Sequence, residues 1–176
     1  MPKPNQEPTL ITTLRGYLNE DCFIDSEPED ENYEFVFRVK YPKIKDKEGN
    51  GIGNFVAILK PKNRNSIEFV SKIILHKDAL ETFKAFDANI RHQIVWEIFI
   101  FLINQNLTPL IPENMEISFR DKLYFLDSEF PSINEFYHSI IKVTNSSLIV
   151  LGMLNRNLGI LINKNPNSDS KDSYFQ

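Results

Sequence analysis

Tyr33-Glu34-Phe35-Val36-Phe37-Arg38-Val39-Lys40 alternates apolar and polar side chains almost without a break. Successive side chains of an extended chain point to opposite faces, so the stretch predicts a half-buried strand with Tyr33, Phe35, Phe37 and Val39 on one side. Pro42 is expected to end it. Residues 45–53 read as a charged, glycine-rich turn, in which Asn50-Gly51 is a hairpin signal because both residues tolerate positive φ. The return strand is then Asn54 to Lys60, stopped by Pro61, and a third strand follows the polar turn over Ile67 to Leu75. Phe35, Phe37, Phe55 and Ile58 or Leu59 are the expected core of this antiparallel meander.

Upstream, Leu10, Ile11, Leu14, Tyr17 and Leu18 recur at helical spacing behind a possible N-cap, Thr9, which predicts a short helix over residues 8–19. Cys22 to Ile24 suggests a brief strand, and Asp25 to Asn32 an acidic, solvated loop. Downstream, helices are expected over Asp78 to Phe86 and Asp87 to Asn106, each with its first aspartate as candidate cap. Ile94 to Ile103 is apolar at nine of ten positions, and a helix apolar nearly all round must be covered on more than one side. A turn over residues 104–112 leads to two short strands, Met115 to Phe119 and Lys122 to Leu126, joined near Arg120 and Asp121. Pro131 and Ser132 open a last helix reaching about Leu154, with a break expected near residues 145–147.

The fold class implied is α+β, an antiparallel sheet packed with helices in the order helix, strand meander, helix, strand hairpin, helix. With 176 residues the chain has room for one domain with a substantial core. We expect that domain over residues 8–163, a flexible N-terminus over 1–7 and a disordered polar tail over 164–176. The 20 basic and 24 acidic side chains leave a net charge of −4, which lacks the electrostatic footprint of a nucleic-acid binder. Met1 to Pro8 has no apolar core of a secretory signal, and the apolar stretch Leu148 to Ile162 is interrupted by Asn155, Arg156 and Asn157. A cytoplasmic protein without membrane attachment is the expectation.

The turn-bounded strands Tyr33–Lys40 and Asn54–Lys60, then Ile67–Leu75 leading into the helix from Asp87, the short pair Met115–Leu126 and the closing helix from Pro131 together resemble the type III secretion chaperones and the related YbjN-like proteins. The likeness is one of topology, covers about Pro8 to Ile162 and brings no signature motif. It implies a dimeric chaperone or binding protein rather than an enzyme, and it carries no functional residue across by position.

The residues give no catalytic constellation. His76, His92 and His138 lack the close spacing of a metal site, and the only cysteine, Cys22, excludes a disulfide framework and stands beside Asp21, which opposes its thiolate. The acidic run from Asp25 to Glu31 has no glycine and contains Pro28, unlike a calcium loop. Gly49, Gly51 and Gly53 lead into a strand rather than a helix, unlike a phosphate loop. No metal, no cofactor and no enzymatic activity are expected. The surplus of helical apolar surface is the positive signal. The segments Ile94–Ile103 and Leu148–Ile162 either bury each other or meet a second chain, and Trp96, Phe99 and Ile103 are the expected partner surface of a homodimer. The function expected is that of a non-catalytic protein-binding or chaperone-like module that holds a protein segment. The alternative is a regulatory module that holds an anionic ligand or nucleic acid on a rim of Lys40, Lys43, Lys60, Lys62 and Arg64.

Overall fold

The alternation at Tyr33–Lys40 builds a strand that is longer than its pattern. The computed structural model describes residues 9–111, 116–126 and 129–159. Both expected terminal segments, 1–7 and 164–176, lie outside them. Among the described residues the elements are α1 (Leu10–Asp21), β1 (Phe23–Ser26), β2 (Tyr33–Lys45), β3 (Gly51–Pro61), β4 (Ser66–Ile73), α2 (Lys77–Ala85), α3 (Ala88–Asn104), β5 (Thr108–Leu110), β6 (Ile117–Tyr124) and α4 (Ile133–Leu158). The strands form one antiparallel sheet in the order β1-β2-β3-β4-β6-β5, so the chain is α+β. It divides into two compact units, Met1–Phe69 with Lys122–Ile141 and Val70–Asp121 with Lys142–Gln176.

In the first unit, the ladder pairs Phe37 with Ile58 and Val39 with Val56, and all four side chains are buried. Phe35 and Phe37 lie 5.1 Å apart between ring centroids on the same face. α1 packs against β1 and β2 and contributes Leu14 and Leu18, both fully buried. Thr9 caps this helix as expected, accepting from the Thr12 amide at 3.4 Å. Phe136, on the first turns of α4, meets Phe69 edge-on at 5.2 Å and Tyr17 at 5.7 Å. Ser132 and Glu135 begin α4 with a reciprocal cap: the Ser132 amide donates to Glu135 at 2.9 Å and the Glu135 amide to Ser132 Oγ at 3.3 Å.

The second unit is organised by α3. Asp87 caps it, accepting from the Asn89 and Ile90 amides at 2.8 and 3.1 Å. The helix buries a single row, Ile94, Ile98 and Leu102, and β5 packs against it. Asn106 turns the chain at φ 54°, and the Leu107 amide closes onto the Leu102 carbonyl at 3.0 Å.

Several local expectations are corrected. Pro42 does not end β2; the strand absorbs it as an irregularity between Tyr41 and Ile44, and pairing resumes at Ile44 with Ile52. The turn is therefore Asp46 to Asn50. The Asp46 carboxylate accepts from the Glu48 and Asn50 amides at 2.9 and 2.8 Å, Gly49 takes the left-handed position at φ 87°, and Gly51 and Gly53 belong to β3. Phe55 is not core. It stands three residues from Ile58, and a period of two puts it on the opposite face, opposite Lys40. α2 starts behind His76, with Asp78 in its first turn rather than at its cap. The expected hairpin of Met115–Phe119 with Lys122–Leu126 is one continuous strand, β6, and its hairpin partner is β5, with Thr108 opposite Arg120. Met115 itself lies outside the described residues. α4 is unbroken at 145–147, where Ser146 and Ser147 are buried: Ser147 Oγ donates to the Val143 carbonyl at 3.1 Å and shares a 2.6 Å hydrogen bond with Ser71.

Candidate functional site

α3 spends only part of its apolar surface. Ile94, Ile98 and Leu102 recur every four residues and cover one side; Val95, Phe99 and Phe101 flank them half-buried. Trp96, Ile100 and Ile103 stand on the remaining side, Trp96 at 57% and Ile103 at 46% exposure. Their spacing of four and three residues is that of a helix–helix seam. Trp96 stacks on Phe99 with ring centroids 5.7 Å apart at an angle of 11°, so the half-buried Phe99 ring supports the exposed indole. The three residues expected to form a partner surface thus lie on one helix, two of them exposed and the third bracing the first. In the same unit Leu148 and Ile149 of α4 are also exposed, and Glu97 of α3 pairs with Arg156 of α4 at 3.3 Å. The apolar segments Ile94–Ile103 and Leu148–Ile162 therefore do not cover each other completely within the described residues.

The five residues of the expected anionic rim, all in the first unit, do not form one free surface. Lys60 is buried; its ammonium pairs with Glu34 at 3.1 Å and donates to the Arg64 carbonyl at 2.6 Å, closing the turn between β3 and β4. Strand period two, continued from Val56 and Ile58, carries Lys60 inward. Lys62 donates to the Glu31 carbonyl at 2.7 Å, and the Arg64 side chain is solvent-exposed. Lys40 pairs with Asp25 at 3.5 Å and sits 4.8 Å above the Phe55 ring. Lys43 donates to the Asn19 carbonyl at the end of α1, and Lys43 and Lys45 each place an ammonium 5.9 Å from the Phe23 ring.

Phe23 is a residue that sequence reasoning did not single out. The ladder places it opposite Lys40, which in turn stands opposite Phe55, so Phe23, Lys40 and Phe55 form one row across β1, β2 and β3. The next row, Ile24, Val39 and Val56, points the other way, into the core. Only the strand registers reveal this arrangement; no local pattern marks it.

The titratable groups weighed as catalytic stay apart. His76, His92 and His138 are all exposed, and His76 Nδ1 lies 3.9 Å from the Asp78 carboxylate. Among the described residues, no three of the histidine, cysteine, aspartate and glutamate side chains gather as a metal site would need. Burial, reinforced by Asp21, pushes the Cys22 thiol up to about 12, the reverse of what a nucleophile requires. No described helix is long and apolar enough to cross a membrane.

A family model described as Uncharacterized conserved protein (DUF2299) matches residues 10–154, which span every element from α1 into α4. The structure is similar to the crystal structure of an uncharacterized protein from Methanothermobacter thermautotrophicus, with a TM-score of 0.71 and 20% sequence identity, covering 86% of this chain and 100% of that one. At that identity the likeness speaks for the fold. No match was found among curated protein sequences.

Proposed function

The chain belongs to the DUF2299 family, and we propose, from its own surface, that it is a non-catalytic protein-binding module, chaperone-like in kind, that acts as a homodimer. One observation carries the reading: Trp96, Ile100 and Ile103 form an exposed, uncharged apolar stripe on a helix whose opposite side is already buried. Exposed apolar surface of this kind marks a protein contact. A stripe on one helix is also self-complementary under a two-fold axis, with Ile100 near the axis and Trp96 of one copy towards Ile103 of the other, and two-fold dimers are the commonest assemblies. The protonated, buried Cys22 supports the same non-catalytic reading. We further take the protein to be cytoplasmic, where an unpaired thiol stays reduced. The alternative, a regulatory module holding an anionic ligand or nucleic acid through lysine-rich turns, is weakened because Lys60 and Lys62 are committed to groups of their own chain.

The test joins light scattering to a holding assay. The wild type should have the mass of two chains at micromolar concentration and should suppress the aggregation of a chemically unfolded client protein. Phe99→Glu and Trp96→Glu should yield folded monomers. A monomeric wild type, or one that leaves aggregation unchanged, overturns the proposal.

A further inference from the structure

We propose that the outer face of the β2–β3 arm in the first unit docks an acidic protein segment that also carries an aromatic or branched apolar side chain. This rests on the protein-binding reading and names the chemistry of the partner. Three observations combine. Phe23, Lys40 and Phe55 form a continuous row across three strands, with Phe55 at 41% exposure. Beyond that row, Gly51 and Gly53 share the face of Phe55 along β3 and place no side chain on it. The Phe23 ring lies over Gly51, so closely that a Cβ there would stand 2.7 Å from the ring. Lys43 and Lys45 reach this ring from β2, 5.9 Å from its centroid, and neither forms an ion pair among the described residues.

Both ammonium groups stand at the face of the Phe23 ring, and Lys43 also donates to the Asn19 carbonyl. Neither is matched by a carboxylate among the described residues, whereas Lys40 is answered by Asp25, so Lys45 foremost can meet a carboxylate from outside. An apolar side chain from outside meets the Phe23 and Phe55 rings themselves, because the space over Gly51 is filled by the Phe23 ring and that over Gly53 by the Tyr41 carbonyl. The approach is to the face and not to the edge. Beyond Lys40 the β2 edge carries Pro42 and a register irregularity, which oppose the addition of another strand. A peptide fits better than a nucleic acid. A net charge of −4 repels a long polyanion but little affects a segment with a few carboxylates.

Fluorescence anisotropy of the full chain with labelled short peptides tests this. An alternating Asp/Phe peptide should bind, more weakly as salt rises, and its Lys/Phe and Asp/Ser counterparts should not. Lys43→Glu with Lys45→Glu should weaken binding about tenfold or more. Phe55→Ala, a change at an exposed position, should weaken it without unfolding the chain. Trp96→Glu should leave binding intact. Failure of the Asp/Phe peptide to bind, binding that survives the double lysine reversal, or tighter binding of oligothymidylate overturns the proposal. A dimeric wild type that binds no such peptide overturns this inference alone. Peptide binding by a monomeric wild type overturns the α3 seam alone.

Discussion

Asp121 is nearly buried inside the second unit, and Lys142 meets it at 2.7 Å. Deleting the carboxylate leaves a half-buried ammonium without its partner, so Asp121→Ala should destabilise the protein by about 2–3 kcal/mol in denaturant titration. The same pair explains why the continuity of β6 is hidden in the sequence. Arg120-Asp121-Lys122 looks like a solvated turn because three charges in succession rarely enter a sheet, and the residue that makes Asp121 tolerable lies 21 positions further on. Lys60 was equally opaque: its partner Glu34 belongs to another strand. Cys22, by contrast, was legible beside Asp21. Its thiol is raised from about 9.0 to about 12, foremost by burial. A folded state that holds its proton more tightly than the unfolded chain is fully stabilised below pH 9.0 and loses that contribution as pH rises towards 12. Native protein at pH 8 should therefore resist thiol reagents that label the unfolded chain at once; comparable native and unfolded labelling rates would contradict this.

At the scale of elements, the glycines of α1 and β3 make opposite predictions. Gly16 lies inside α1 beside open space, with nothing within 4 Å of the position a Cβ would take. Gly16→Ala should stabilise the protein by about 0.5–1 kcal/mol, since glycine weakens a helix interior. At Gly53 a Cβ would stand 2.8 Å from the Tyr41 carbonyl oxygen, in the irregular part of the β2–β3 ladder. Gly53→Ala should cost about 1–3 kcal/mol, because backbone must move to admit it. Thermal unfolding of the two variants should shift in opposite directions. The strands themselves were readable where period two runs between turn residues, as at Tyr33–Lys40. The extension of β2 past Pro42 was not, because a proline signals a stop unless the partner strand accommodates the missing donor. Nor was the continuity of α4, whose Ser146 and Ser147 look like a break until they are seen buried, with Ser147 bonded to Ser71.

For the whole molecule, the meaning of α3 depends on which side of an all-round apolar helix the rest of the chain leaves bare. Composition along Ile94–Ile103 does not settle that, since nearly every position is equally apolar: of the expected Trp96, Phe99 and Ile103, packing leaves Trp96 and Ile103 outside, half-buries Phe99 and adds Ile100. Trp96→Glu therefore should halve the mass seen by light scattering while changing the stability of the monomer by no more than about 0.5 kcal/mol, as for other surface substitutions. A large loss of stability would mean that the indole serves the interior instead. Trp96 is also the single tryptophan of the chain. The intrinsic tryptophan emission of this protein is consequently a gauge of its surface rather than of its core. A free monomer should emit like a wet indole and change little in colour when it unfolds. Formation of the seam should shift the emission to the blue and shield it from iodide, so a dilution series read in a fluorimeter reports assembly without any label.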